Sequence, residues 1–126
     1  MKILAIDPGN IESGYCLINF KDYKPIEFGK IENFEMLKKV SELKYDFLVL
    51  EMIASYGMPV GASVFDTCVW IGRFIQSKNC EDYAYIYRKE EKINICGSMK
   101  AKDIYKFNSF NVSVDFLLGL DILRMF

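Results

Sequence analysis

The opening segment, residues 1–14, constrains the fold more than any other part of this sequence. An apolar run over residues 3–6 ends at Asp7, a Pro-Gly pair interrupts it, and a second apolar run begins at Tyr15. This pattern predicts a buried strand, a tight turn and a second strand, because proline and glycine interrupt strands. A dry, unpaired carboxylate at the end of a buried strand costs on the order of several kcal/mol. Asp7 is therefore predicted to hold a cation or a metal bound to phosphate.

The same patterns predict one α/β domain over residues 1–126. The predicted strands lie at 2–7, 13–20, 23–31, 47–50 and 83–87, and the predicted helices lie at 33–44, 61–77, 99–106 and 112–126. Short loops favour antiparallel pairing of the first three strands, and the first helix provides a parallel crossover to the fourth strand. We therefore expect a mixed five-stranded sheet, with its first three strands antiparallel, flanked by helices.

Helical spacing predicts which side chains face the core. Asn33 is expected to cap the first helix. The expected inner side chains are Phe34, Leu37, Val40 and Leu43 in that helix, and Val64, Cys68, Ile71 and Ile75 in the second. Six aromatic side chains are expected to pack in the core or on the sheet rather than stack on bases: Phe65, Trp70, Phe74, Tyr83, Tyr85 and Tyr87. The reason is that aromatic side chains on regular elements usually fill cores.

Composition excludes several classes of chemistry. The sequence contains no histidine, which removes Ser-His-Asp and Cys-His catalysis and histidine-ligated metals. The four cysteines are widely spaced, which favours reduced thiols in a cytoplasmic protein over disulfides or a zinc site. No apolar run approaches the roughly 18 residues of a membrane span, so we expect no membrane partner. The net charge of −1 argues against a large non-specific nucleic-acid surface but permits a local basic patch.

Two carboxylates follow the same pattern, since Asp7 and Glu51 each end a four-residue apolar run. If their strands are parallel neighbours, roughly 4.8 Å apart, the carboxylates repel each other and a divalent cation between them relieves the repulsion. Oxygen-only ligation favours Mg²⁺ or Mn²⁺. Two such metals, roughly 3.5–4 Å apart, can activate a water and stabilise the leaving oxygen of a phosphodiester. The alternative is that both acids merely end strands in contact with solvent.

Four segments in a fixed order extend this pattern: 3–14 with its Asp-Pro-Gly and Ser-Gly pairs, 47–51, 57–74 and 85–103. Together they resemble RuvC-type Holliday junction resolvases, and the phage members in particular. The resemblance implies a ribonuclease H-like fold. It also implies a structure-selective endonuclease that cleaves four-way junctions or other branched DNA with Mg²⁺ or Mn²⁺.

The resemblance also implies roles for individual residues. Asp7 and Glu51 correspond to catalytic metal ligands, and Lys102 corresponds to a lysine that faces the scissile phosphate, with Lys100 as the alternative. Asp115 best matches the late acid of the family and would be a third catalytic metal ligand. Asp121, six residues further on, points about 120° away on a helix, so at most one of these two acids faces the site. Otherwise, Asp115 is an exposed acid that favours a helix start, and the lysines form a solvated helix face.

The expected DNA contacts lie near this site. The loop after Glu51 is predicted to meet the junction, where apolar side chains can wedge between unstacked bases. The expected DNA-binding residues are Tyr56, Met58, Arg73, Lys100, Lys102 and Lys106. The symmetry of a four-way junction suits a two-fold homodimer, and the helix at 61–77 is the expected interface.

Residues 104–126 depart from the family pattern, because 104–110 lacks an amphipathic repeat and the segment looks shortened. A deletion or a change of reading frame would make Asp115 a coincidence and leave a defective, junction-binding remnant. Another alternative is an RNA-processing nuclease of the same superfamily. A phosphate-binding turn of the kind found in sugar kinases and actin-like ATPases is excluded, since those proteins need two domains and this chain has 126 residues.

Overall fold

Five strands form one mixed sheet in the computed structural model, which describes residues 1–22, 24–55 and 57–87. The elements in chain order are β1 (Lys2–Asp7), β2 (Glu12–Asn19), β3 (Pro25–Glu32), α1 (Asn33–Glu42), β4 (Phe47–Met52), α2 (Ala62–Ser77) and β5 (Asp82–Tyr87). The sheet has the order β3-β2-β1-β4-β5. Strands β1, β2 and β3 pair antiparallel, whereas β1–β4 and β4–β5 pair parallel. The predicted topology is confirmed, and no element end differs from its prediction by more than two residues.

The two central strands, β1 and β4, are apolar on both sides, and their alternating side chains form two separate core layers. The helix face carries Leu4, Ile6, Tyr15, Leu17, Leu48 and Leu50, which pack with side chains from α1 and α2. The second face carries Ile3, Ala5, Cys16, Ile18, Val49 and Ile86. Both described helices thus cover the same side of the sheet.

Helix α1 confirms three of its four predicted inner side chains, since Val40 is buried and Leu37 and Leu43 pack against the core. Its buried residues are Asn33, Met36 and Val40, whereas Phe34 is exposed. The predicted cap is also wrong, because Glu32 is the N-cap residue and no side chain caps the helix. Asn33 is instead the first helical residue and turns its amide inward, which rotates Phe34 towards solvent.

Helix α2 buries Thr67, Ile71 and Phe74 against the helix face. The prediction for Ile71 is confirmed. The other three side chains of the predicted stripe are only half-buried: Val64, Cys68 and Ile75. Phe65 is exposed, so its predicted packing in the core is wrong.

The tyrosines of β5 are exposed rather than part of the core. Tyr83, Tyr85 and Tyr87 lie on one side of an edge strand. Among the described elements, α2 packs on β4, so these rings lie on the sheet, as one of the two predicted environments, and not in the core. The rings of Tyr83 and Tyr85 pack edge to face, 5.7 Å apart, and the Lys78 ammonium lies 5.7 Å from the ring centre of Tyr83.

The helices predicted at 99–106 and 112–126 lie outside the described residues. Within the described part of the chain, neither helix has the length and apolar character needed to cross a membrane.

Candidate nuclease site

The two predicted acids lie at the carboxyl ends of two neighbouring inner strands of the sheet. β1 ends at Asp7, and Glu51 is the penultimate residue of β4. These strands are parallel neighbours, and their last recorded pair, Ile6 with Leu50, directly precedes the two acids. The carboxyl ends of adjacent parallel strands are where open α/β sheets place their functional groups.

The two acids also share a face of the sheet. Asp7 alternates with Ile6 and therefore lies on the same side as Ala5, while Glu51 lies on the same side as Val49. This is the second face, opposite α1 and α2. Glu51 is only 4% exposed, whereas Asp7 is half-buried. One carboxylate thus lies deep in the site, and the other lies nearer to solvent.

Hydrogen bonds fix the turn that follows Asp7. The Ser13 hydroxyl donates to Asn33 Oδ1 at 2.5 Å and accepts from the Gly9 amide at 3.2 Å. Asn33 Nδ2 donates to the Gly9 carbonyl at 2.9 Å, and the Asn33 amide donates to the Ile11 carbonyl at 2.9 Å. We call residues 8–11 with Ser13 and Asn33 the pinned turn.

The pinned turn also explains the glycine in the opening motif. A Cβ atom at Gly9 would overlap the carbonyl oxygen of Glu12. Glycine is therefore required by a close approach of two backbone segments.

The connection after Glu51 is of another kind. Residues 53–61 link β4 to α2, and their described members take part in two backbone hydrogen bonds outside regular elements: the Met58 amide donates to the Ser55 carbonyl at 2.9 Å, and the Val64 amide donates to the Gly61 carbonyl at 3.1 Å. Gly57 has a positive φ of 83°, a conformation that glycine adopts at little cost. Met58 is 71% exposed. We call residues 53–61 the open loop.

Arg73 lies on α2, away from the two carboxylates. Its guanidinium stacks 4.2 Å from the ring centre of Trp70 and 5.4 Å from that of Phe34. A guanidinium within about 6 Å of a ring centre is a favourable cation–π arrangement. Because α2 covers the helix face, the structure does not bring Arg73 together with Asp7 and Glu51.

The remaining predicted site residues lie outside the described part of the chain. They are Tyr56, Lys100, Lys102, Lys106 and Asp115, together with the alternative acid Asp121.

The carboxylates of Asp7 and Glu51 fit a hard divalent cation, because they supply the oxygen ligands that Mg²⁺ and Mn²⁺ prefer. Over residues 1–22, 24–55 and 57–87, no cluster of three or more metal-ligating side chains occurs. The described residues therefore provide a carboxylate pair, and any third acid would have to come from elsewhere in the chain.

The architecture is that of the ribonuclease H-like α/β fold, and solved structures of RuvC from Thermus thermophilus share it. One superposes with a TM-score of 0.68 at 10% sequence identity, over 96% of this chain and 92% of that chain. A second, RuvC in complex with a Holliday junction substrate, superposes with a TM-score of 0.67 at 9% identity, over 96% and 91% of the two chains. No protein-family profile matches the sequence, and no curated protein matches significantly.

The local sequence pattern correctly predicted that both acids lie at the ends of adjacent strands, but it missed the residues that hold the turn after Asp7. Asn33 is separated from Ser13 by 20 positions and from Gly9 by 24, so local spacing gives no sign of the contact. The position of Asn33 between a predicted strand and a predicted helix was the one sign in the sequence of a structural role. Asparagine at such a position usually caps the helix, so we assigned it that role.

Proposed function

We propose that this protein is a structure-selective endonuclease that hydrolyses a phosphodiester bond in Holliday junctions or other branched DNA. The observation that carries the proposal is the position of Asp7 and Glu51. They follow the last recorded pair of two adjacent parallel strands and lie on one face, in a fold shared with RuvC. We further propose that residues 1–126 act as one nuclease domain in the cytoplasm, that of a bacterial host if a phage encodes the chain.

In this proposal, Asp7 and Glu51 hold Mg²⁺ or Mn²⁺ through their carboxylate oxygens. A cation bound there supplies the charge that activates water and stabilises the leaving oxygen. Deep burial of Glu51 fixes the orientation of its carboxylate, while half-buried Asp7 remains accessible to a phosphate. Lys102, or Lys100 in its place, would neutralise the phosphate, and Asp115 would add the third acid.

The open loop is the proposed junction-contacting segment. It begins two residues after Glu51, and its Met58 side chain is 71% exposed. An apolar side chain at this position suits insertion between unstacked bases. Tyr56, Lys100, Lys102 and Lys106 would complete the proposed DNA contacts, whereas Arg73, on the helix face, would contact a part of the DNA further from the carboxylates.

We also propose a two-fold homodimer through α2. Two large apolar side chains of α2 are exposed, Phe65 and Val69, both at 62%, and Phe34 on the neighbouring helix α1 is 60% exposed. Phe65 and Val69 are one helical turn apart, so they form an apolar stripe along α2. Two copies related by a two-fold axis would present the same stripe to each other.

Replacement of Glu51 by Gln tests the catalytic proposal. We expect cleavage of a four-way junction with Mn²⁺ to fall by on the order of 100-fold or more, because loss of even a group that supports a metal ligand costs about 10- to 100-fold. Junction binding should persist. Glu35→Gln, the same change on the exposed surface of α1, is the control and should cleave normally.

The outcomes separate the alternatives. Unchanged cleavage by Glu51→Gln would remove this residue from the mechanism. A wild-type protein that binds the junction but does not cut it in Mn²⁺ would support the defective remnant. Preferential cleavage of a structured RNA would support the RNA-processing alternative.

A further inference from the structure

Asn33 and Ser13 are buried polar residues in direct contact with the turn that follows Asp7. Each is only 1% exposed, although neither belongs to the proposed set of metal ligands and DNA contacts. Buried polar groups are retained when they are hydrogen-bonded. Both polar atoms of the Asn33 side chain are hydrogen-bonded, since Oδ1 accepts from the Ser13 hydroxyl and Nδ2 donates to the Gly9 carbonyl.

These bonds connect α1 to the turn between β1 and β2. Gly9 is held on both its amide and its carbonyl, by Ser13 and Asn33 respectively. The Ile11 carbonyl is held by the backbone amide of Asn33. The first residue of α1 therefore determines the path of the turn.

Asp7 lies between two fixed points. On one side its backbone is paired with Gly14 across the β1–β2 ladder. On the other side, only Pro8 separates it from the anchored Gly9. Proline restricts the backbone further because its φ angle is locked. Removal of the Asn33 side-chain amide would free the Gly9 carbonyl and take away the acceptor of the Ser13 hydroxyl, which loosens the second fixed point and leaves the first in place.

We propose that Asn33 is a positioning residue for the Asp7 carboxylate and that it acts through Ser13 and Gly9 to set the affinity of the site for Mn²⁺. This inference rests on the metal site of the proposed function. It adds a residue on α1, across the sheet from the carboxylates, to the groups that determine metal binding. Groups that orient a metal ligand typically change metal affinity by about 10- to 100-fold.

The test measures Mn²⁺ binding to the free protein by calorimetry and by the electron paramagnetic resonance of the unbound ion. Asn33→Ala is expected to weaken Mn²⁺ binding by about 10- to 100-fold while circular dichroism shows a folded protein. Thr67→Val is the matched control. It removes another buried hydroxyl that donates a hydrogen bond, to the Ser63 carbonyl within α2, and it should leave the Mn²⁺ affinity unchanged even if the melting temperature falls.

A second variant keeps the proposal testable if Asn33→Ala does not fold. Ser13→Ala removes the hydroxyl between Asn33 and the Gly9 amide but leaves the bond from Asn33 to the Gly9 carbonyl. We expect it to weaken Mn²⁺ binding as well, because it frees the Gly9 amide.

Each result bears on a different claim. Wild-type Mn²⁺ affinity in a folded Asn33→Ala protein, or in Ser13→Ala when the first variant is unfolded, overturns the role of Asn33 and leaves the proposed nuclease intact. An equal loss of affinity in Thr67→Val would show a general effect of destabilisation and also overturns it. Absence of Mn²⁺ binding in the wild-type protein overturns the metal site itself.

Discussion

The connections that follow the two acids differ in how firmly the protein holds them. After Asp7, the pinned turn is held by the side chains of Ser13 and Asn33 through hydrogen bonds to Gly9. After Glu51, the open loop carries an exposed methionine and a glycine with positive φ. Buried, fully satisfied polar networks make a structure rigid, whereas exposed loops adapt to partners.

This difference suggests that the two connections at the carboxyl ends of β1 and β4 have separate roles, one structural and one in binding. The pinned turn directly follows a carboxylate, and the side chains that hold it belong to β2 and α1. The open loop provides an apolar side chain with few contacts inside the protein, which suits contact with another molecule. Three substitution pairs can break or sharpen this comparison.

The largest effect is expected from alanine at the two glycines. Gly9→Ala should lower the free energy of unfolding by about 1–3 kcal/mol, because the new Cβ overlaps the Glu12 carbonyl and the turn has no room to move. Gly57→Ala meets no atom within 4 Å. Its positive φ costs about 1–2 kcal/mol, partly offset by about 0.4–1 kcal/mol from a less flexible unfolded chain. Urea unfolding measures the stability of both variants. Equal losses of stability would contradict the expected difference between the pinned turn and the open loop.

The second pair tests the open loop as a contact surface. Met58→Ser should leave stability within about 0.5 kcal/mol of wild type, since the side chain is exposed. It should weaken binding of a four-way junction roughly tenfold, or about 1.4 kcal/mol, by loss of the apolar wedge. Fluorescence anisotropy at one fixed salt concentration measures the affinity.

The matched control is Ile11→Ser in the pinned turn. Ile11 is 69% exposed, close to the 71% of Met58, so the two substitutions remove similar apolar surface. We expect Ile11→Ser to bind the junction normally. Similar losses of junction affinity in both variants would show that the pinned turn also contacts DNA. This result would contradict separate roles for the turn and the loop.

The smallest effect concerns the brace between α1 and the sheet. Glu27 Oε2 accepts hydrogen bonds from Lys39 Nζ and from the Tyr15 hydroxyl, both at 2.7 Å. The bonds from Lys39 and then from Tyr15 lower the pKa of Glu27 below its ordinary value of 4.5. A lowered pKa in the folded state adds stability above the unfolded pKa, and this stability is lost as the pH falls through the folded pKa.

Glu27→Gln should therefore cost about 0.2–1 kcal/mol at neutral pH, the range for partly exposed ion pairs. The cost should disappear below the folded pKa of Glu27, where the wild-type side chain is also neutral. Urea unfolding at both pH values measures it. Glu12→Gln is the control, because its pair with Lys30 is longer, at 3.5 Å, and more exposed. A loss at low pH equal to that at neutral pH would contradict an ionic origin.

The sheet and the two acids could be predicted from the sequence because their signals are local. A four-residue apolar run followed by an acid defines each central strand and its end, and short loops define the antiparallel pairs. The pinned turn could not be predicted in this way, since its contacts join residues about 20 positions apart. Asn33, the expected cap, instead lies on the inner side of α1 as its first residue, and Phe34, the next residue, is exposed.

The exposed tyrosines show a second limit. Alternation in β5 correctly predicted a strand, but burial depends on whether a helix covers that strand. The position of β5 at the sheet edge is a property of the whole topology. The sequence alone therefore predicted the strand β5 but not the exposure of its tyrosine side chains.

The shared face of Asp7 and Glu51 limits the sequence changes that the chain tolerates. Side chains in a strand alternate between faces, so a register shift of one residue transfers all of them to the opposite side. A single-residue insertion between Phe47 and Glu51 would move the acid towards α2 and bring an apolar side chain to the place beside Asp7. A two-residue insertion would restore the face but displace Glu51 along the strand axis. Lineages of this protein should therefore accumulate length variation in the segment between β4 and α2 and almost none within the two central strands.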